Sequence, residues 1–346
     1  MLDQHLSDCS HVQSPPIRRV TLAALAALAA LLLCAGPAGA SKLVISGAGD
    51  GHGVGMSQQG ALGYAEHGWS YEAILAHYYT GTALGSAPPK TVVRVLVGGK
   101  VRKIALETYV RGVVAAEVSS GWPMAALEAQ AVASRTYAIT AHAGGSKFDV
   151  YPDTRSQMYL GKAAETTRTN VAVAATAGQI VTYEGKPAIT YFFASSGGRT
   201  ESVQNAFGGS TPEPWLLGVS DPYDAGPMHR WTVTISFKSA VGRLSGLVSG
   251  SFRGIEVLKR GTSPRIVSAD VLGSKGRTLV SGPELAARLG LYDTWAYFSV
   301  TDAHGTRPEP DLSRQPAAGS EPAPPPTGPP AAPARVTGAG GTSATA

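Results

Sequence analysis

Leu106 to Thr140, LETYVRGVVAAEVSSGWPMAALEAQAVASRTYAIT, decides the fold. It reads as two helices, about Leu106–Val118 and Pro123–His142, separated by Ser119-Ser120-Gly121. In the first, Leu106, Tyr109, Val110, Val113 and Val114 recur at helical spacing, and Glu117 takes the next position on that apolar stripe. A carboxylate on an apolar face is partly desolvated, which raises its pKa and lets it hold a proton near neutral pH. A general acid toward a glycosidic oxygen needs that property. The alternative is a helix-end glutamate paired with a structural arginine. Glu107 falls off the stripe and is expected in solvent. In the second helix Pro123 suits a first turn, where its missing N–H is no loss. Leu127, Ala131, Arg135 and Ala138 share one face, and the many alanines allow close packing on the first helix. Arg135 must then be paired, with Glu117, with another carboxylate or with a sugar oxygen.

Working outward, Val93, Val95 and Val97 alternate before Gly98-Gly99, and Val101 to Ala105 returns, which predicts a hairpin. Downstream comes an alanine-rich helix over about Thr166–Ala177. A second hairpin follows, GQIVTY and AITYFF around Glu184 to Pro187. It ends in Ala194-Ser195-Ser196-Gly197-Gly198, which is not the G-x-S-x-G elbow of a nucleophilic serine. Ser195 and Ser196 are expected to offer hydroxyls and amides to a ligand, or to form a plain turn. From Arg230 to Val300 the chain is mostly strand, with a short helix at about Pro283–Leu289 and a last strand, WAYFSV. Upstream, Ser41 to about Pro89 opens with the glycine comb GAGDGHGVGMSQQGALG. It then reads as helix through Ala61–Glu66 and Ser70–Tyr79. Helices and strands mix without a β-α-β repeat, so the fold class is α+β.

The comb lacks the Lys-Ser/Thr of a phosphate loop and the strand and acidic partner of a dinucleotide site. Repeated glycine instead lets backbone approach a ligand or another strand closely. No cofactor is expected. Arg18-Arg19, the apolar run Val20 to Ala35 and Ala38-Gly39-Ala40 describe a signal peptide over residues 1–40, cleaved after Ala40. The apolar core is shorter than the ~20 residues a bilayer needs. Lipid anchoring at Cys34 is the lesser reading, because a bulky leucine precedes it. Both cysteines, Cys9 and Cys34, lie in this leader, so the mature chain has no disulfide and no thiolate ligand. The histidines left in it are scattered without ligand spacing, so no metal is expected. Residues 307–346 are dominated by Pro, Ala, Gly and Thr and are expected to be a disordered tail. The body divides into residues 41–89, holding the comb, and residues 90–306. The net charge of +5 is mild, and no run of Lys and Arg suggests nucleic acid. The chain is expected in the cell wall or secreted, with no membrane contact after leader cleavage.

These segments together resemble the SpoIID/LytB family. The Leu106–Ile139 stretch resembles its central motif, in which a glutamate precedes W-P and an A-Q-A-V-A-x-R-T-Y-A helix. TNVAVAATAGQIVTYEGKPAITYFFASSGGRTESV with LLGVSDPYD is similar to its following block, and SGPELAARLGL to its closing segment. GHGVGMSQQGALGYAEHGWSYEAILAHYYTGT is similar to another hallmark stretch. The resemblance implies a peptidoglycan-directed role: lytic transglycosylases that cleave glycan strands with one glutamate as acid and base, or enhancers of a wall amidase. It carries the catalytic glutamate onto Glu117. Arg135, Ser195, Ser196, His52 and Gln58 become the candidate substrate-binding residues. A hydrolase would need a second carboxylate, and Asp149 and Asp153 are the nearest in sequence.

Three departures stand out. The GHGVGMSQ stretch, usually near the family's C-terminal end, here precedes the central motif, which leaves open which cleft it lines. The loop FDVYPDTRSQMY has none of the Cys and His that bind zinc in sporulation members, so zinc is expected to be absent. A Phe-Arg pair of the closing motif is Leu285-Ala286.

Overall fold

The structure, a computed structural model, describes residues 41–302 and 305–308. The leader and nearly all of the tail lie outside the described residues. The chain opens with β1 (Lys42–Gly47), β2 (Met56–Ser57), α1 (Gln58–Glu66), α2 (Tyr71–Tyr78) and β3 (Ala83–Ser86). The hairpin β4 (Val92–Val97) and β5 (Lys100–Ala105) leads into α3 (Leu106–Glu117) and α4 (Met124–Thr140). Next come α5 (Thr167–Ala175), β6 (Gln179–Tyr183), β7 (Lys186–Pro187), β8 (Phe192–Phe193) and α6 (Val203–Ala206). The last part holds β9 (Trp231–Ser236), α7 (Phe237–Arg243), β10 (Phe252–Arg260), β11 (Ile266–Gly273) and β12 (Gly276–Ser281). It ends with α8 (Gly282–Leu289), β13 (Ala296–Asp302) and β14 (Gly305–Pro308). Helices and several small sheets are mixed, which is the α+β class that the patterning predicts.

The helix α4 is the hub. Leu127, Ala131 and Ala138 join a core with Tyr109, Val110, Val113 and Val114 of α3. On its other side Ala129, Val132 and Ala133 join Ile74, Leu75 and Tyr78 of α2. A helix apolar on all sides has to be buried, and alanine lets both neighbours come close. Val93 and Val95 of β4 close the α3 side, while Lys100, Arg102 and Lys103 stand exposed along β5. Charge on an edge strand discourages pairing with another chain.

A separate core lies under the last part of the chain. The sheet order β14-β13-β1-β9 puts the first described strand between two late ones, with Leu43 opposite Val300 on one side and Ile235 on the other. Leu43 and Ile45 point into a core with Val271, Leu285, Leu289 and Phe298. The expected strands do not include KLVISG, which forms β1. Its partners lie roughly 190 and 255 residues away, as Thr234 and Ser299 do from Val44, so nothing local announces them. The first described strand thus belongs to the C-terminal module, and the chain crosses from it to the helical one. Because α2 packs on α4, residue 89 marks no boundary in packing. The strand β14 pairs with β13 and carries regular structure two residues into the stretch read as tail.

The second predicted hairpin forms only at its tip, where β6 pairs with β7 at Tyr183 and Lys186. Beyond it the chain turns away, and β8 pairs in parallel with β2, Met56 opposite Phe192. The glycine comb captures this strand: Asp50 and Ser195 exchange N–H to C=O bonds of 2.8 and 3.1 Å, and Gln59 N–H donates to Ala194 O at 2.9 Å. Gly53 and Gly55 have φ of 82° and 77°, a region that disfavours side chains. A Cβ on Gly55 would lie 2.1 Å from Tyr191 O, and one on Gly53 2.4 Å from the Arg265 Nε. The comb's close approach is therefore to another strand and a buried arginine.

Candidate active site

Glu117 is the last residue of α3, where the apolar stripe carries it to the edge of the core. It is half-buried, and each carboxylate oxygen has one donor. Met158 N–H donates to Oε1 at 2.6 Å, and the Gln58 side-chain amide donates to Oε2 at 3.0 Å. Burial raises the pKa of Glu117 above the usual glutamate range, and these two hydrogen bonds oppose it. The helix end adds to the rise, because unpaired carbonyls there disfavour negative charge. The group is thus poised to hold a proton and to be stabilised once it has lost it.

Three segments meet here. Ser57 caps α1, its Oγ accepting from Gly60 N–H at 3.1 Å, so Gln58 begins the helix and reaches Glu117. The departure in motif order therefore closes in space: the comb lines the Glu117 site. The loop Asp149–Tyr159 brings Met158. At its start Asp149 accepts from Arg94 N–H at 2.7 Å and Nε at 3.1 Å, and near its end Gln157 donates to Tyr109 Oη at 3.0 Å. Behind Gln58 stands Gln130 of α4, which sequence reasoning missed. A glutamine among alanines in a helix shows no periodic signal, and its partner lies on another segment.

Of the partners open to Arg135, the structure supplies a carboxylate other than Glu117, and the substrate-binding role expected of it is not met. Arg135 is fully buried and makes a two-pronged pair with Glu107, 2.8 Å at each contact, and donates to Gln179 O at 3.1 Å and Val173 O at 3.3 Å. It holds α4, α3 and β6 together and has no group free for substrate. Glu107, expected in solvent, is its partner because the off-stripe face of α3 meets α4 and the start of β6. The two carboxylates nearest in sequence are also committed. Burial raises the Asp149 pKa, but the hydrogen bonds from Arg94 outweigh it and hold it below the usual range. Hydrogen bonds from Arg155 hold exposed Asp153 at about 2.

Ser195 and Ser196 are buried, and they serve a carboxylate. Ser195 Oγ lies 3.0 Å from both oxygens of Asp224. Ser57 Oγ and Ser196 Oγ donate to Asp224 Oδ2 at 3.1 and 2.9 Å, joined by Ser196 N–H. The serine loop and the cap of α1 are thus tied to one buried aspartate, an internal role in place of the ligand contacts expected. Asp221 lies beside it, fully buried, accepting from Tyr78 Oη at 2.8 Å with its Oδ2 unpartnered. Neither aspartate was singled out as a site residue, since acids in a Gly- and Pro-bounded turn have no face to read.

Burial and the charge of Asp224 push the Asp221 pKa from 3.8 up to about 7. As pH rises through that interval the unfolded chain loses this proton while the folded chain keeps it. Stability contributed by the group is therefore full below about pH 4, falls toward pH 7 and levels off above. Asp221→Asn is expected to abolish this slope. Melting temperatures at pH 5 and pH 8 should diverge less in the variant than in the wild type, and equal divergence refutes the assignment.

His52 stands elsewhere. Its Nδ1 accepts from Val54 N–H at 3.1 Å, and its ring lies 5.4 Å from Phe193 and 5.3 Å from Phe207. Burial, with Arg265 nearby, lowers its pKa to about 4, so it is neutral. It lines a cavity of about 200 Å³ with Phe207, Ala286, Leu291, Tyr292 and Asp293, at the seam with the C-terminal module. Glu117 is not on that wall. Of the candidates, Gln58 alone meets Glu117. Among the described residues no group of three or more His, Cys, Asp or Glu converges as metal ligands would, and no helix is long and apolar enough to cross a membrane.

Residues 98–183 match the family model of SpoIID, stage II sporulation protein, a span that includes Glu117, Gln130 and Met158. This match and the relatives that follow support the SpoIID/LytB family for this chain. It is 42% identical over 140 residues to an uncharacterised protein of Brachyspira hyodysenteriae, which is 40% of this chain and 38% of that one. It is 30% identical over 209 residues to stage II sporulation protein D of Bacillus amyloliquefaciens, 55% of this chain and 59% of the relative. It is 34% identical over 126 residues to the amidase enhancer of Bacillus subtilis, 36% of this chain and 17% of the relative. The chain thus spans less than two thirds of the length of each of these relatives. Gln58 lies outside the span matched to the SpoIID model and reaches Glu117 only through the fold.

Proposed function

We propose that this SpoIID/LytB protein acts on peptidoglycan as a lytic transglycosylase with Glu117 as both acid and base. The reading rests on one observation: a half-buried carboxyl with a donor on each oxygen and a raised pKa. As the acid, Glu117 gives its proton to the glycosidic oxygen between N-acetylmuramic acid and N-acetylglucosamine, and the bond from C1 to that oxygen breaks. The carboxylate left behind is stabilised by Met158 N–H and Gln58. It then takes the proton of the C6 hydroxyl as that oxygen bonds to C1, closing a 1,6-anhydro ring and restoring the acid. No water is consumed and no second carboxylate is needed, which agrees with Asp149 and Asp153 being held by arginines. Mass spectrometry of purified peptidoglycan, incubated with the protein before and after removal of stem peptides, tests this. Anhydromuramyl ends are expected, and ordinary reducing ends contradict it.

A second reading has its own support, the 34% identity to an amidase enhancer. In it the protein binds glycan strands and stimulates a cell-wall N-acetylmuramoyl-L-alanine amidase. Glu117→Gln separates the two, since stimulation of an added amidase would survive the change and glycan cleavage would not. Both readings place the protein outside the cytoplasm, exported by residues 1–40. The exported form is expected to begin at Ser41 by intact mass, and recovery of an uncleaved chain refutes the leader.

A further inference from the structure

We propose that Gln58 is a positioning residue for Glu117, and that Gln130 holds its amide with the NH2 group toward the carboxylate. The inference rests on the reading of Glu117 as the working acid and adds the device that governs its proton. Gln58 Nε2 sits 3.0 Å from Glu117 Oε2 and 3.5 Å from Gln130 Oε1. Gln130 can present its oxygen there because its own Nε2 donates to Ser134 Oγ at 3.0 Å. Ser134, Gln130 and Gln58 thus form a directed relay, three side chains almost wholly buried, ending on the one carboxyl. An amide turned the other way would set its carbonyl against both a carboxylate and the Gln130 carbonyl.

The relay favours the carboxylate at Oε2, as Met158 N–H does at Oε1, against the burial that favours the acid. Gln58 arrives from α1 and Gln130 from α4, so the proton on Glu117 depends on the comb being docked. The neighbouring titratable groups are phenols: Tyr109 on the same helix feels the Glu117 charge, and Tyr137 of α4 and Tyr159 of the loop adjoin Tyr109. Burial raises all three, so none ionises in the range where Glu117 titrates.

Methionine has nearly the volume of glutamine and no donor, so Gln58→Met and Gln130→Met are the probes. The Glu117 carboxyl is followed by carbon-13 NMR titration of the full chain labelled at glutamate Cδ, with Glu117→Gln identifying its signal. Loss of a hydrogen bond to a charged group is expected to raise the Glu117 titration by about one pH unit in Gln58→Met and by roughly half as much in Gln130→Met. The acid side of the glycan-cleavage profile should move with it. An unmoved Glu117 titration in a Gln58→Met protein that keeps its circular dichroism overturns the proposal. So does a shift in Gln58→Met with none in Gln130→Met, which removes the relay. Both shifts in the variants, with a wild type that cleaves no glycan, uphold the relay and overturn the lytic reading instead.

Discussion

Glu117→Gln is expected to lower the release of anhydromuramyl products by a hundredfold to ten-thousandfold, roughly the contribution of a well-placed general acid. Gln keeps the shape of Glu and one acceptor oxygen, so Met158 N–H retains its partner. Gln58 and Gln130 can turn together, with the Ser134 hydroxyl donating to Gln130, so that the Gln58 carbonyl meets the new NH2 group. The melting temperature should therefore change little. What is lost is the transferable proton, needed once to protonate the leaving oxygen and once to receive the C6 hydroxyl proton. Because one group does both, no other carboxylate can take over half of the task; Asp149 and Asp153 are tied to Arg94 and Arg155. Cleavage that survives Glu117→Gln at wild-type rate would return Glu117 to a structural role.

The largest effect on stability is expected at Arg265. Its side chain is almost fully buried, and its NH2 lies 2.6 Å from Asp293 Oδ2 in the C-terminal module. The same guanidinium donates to Ser196 O at 3.0 Å and Arg199 O at 2.7 Å in the serine segment, and it lies against Gly53 of the comb. One side chain therefore joins three stretches that are far apart in sequence. Arg265→Met removes the cation and leaves Asp293 buried, a carboxyl whose pKa burial already raises to about 6 against the pull of Arg265. Breaking a buried ion pair from one side costs about 3–5 kcal/mol, which for a body of this size is a fall of ~10 °C in melting temperature. Removing both partners, Arg265→Met with Asp293→Leu, should recover part of that loss, since no charge is stranded. A single variant that melts with the wild type would show that the joint carries no stability.

Much of the local structure was legible. The hairpin β4–β5 follows from alternating valines around Gly98-Gly99, and α3 from the stripe Leu106 to Val114. Glu117 is visible on that stripe because a helix carries its pattern in consecutive residues. What α4 buries is harder to read, since alanine on every side fixes no direction. Arg135 shows the consequence: the sequence demands a partner for it without choosing between Glu117 and Glu107.

The α+β class, the hairpin, the two central helices and the carboxylate at the end of the first can all be read from residue order alone. Each depends on interactions within a few residues, and a periodic pattern records those. It takes the packed chain to place β1 between β9 and β13, to give the serine loop to Asp224, and to bring Gln58 and Met158 to the two oxygens of Glu117. These contacts join segments dozens to hundreds of residues apart. Their partners are matched in three dimensions by burial and hydrogen-bond demand, which no local spacing encodes.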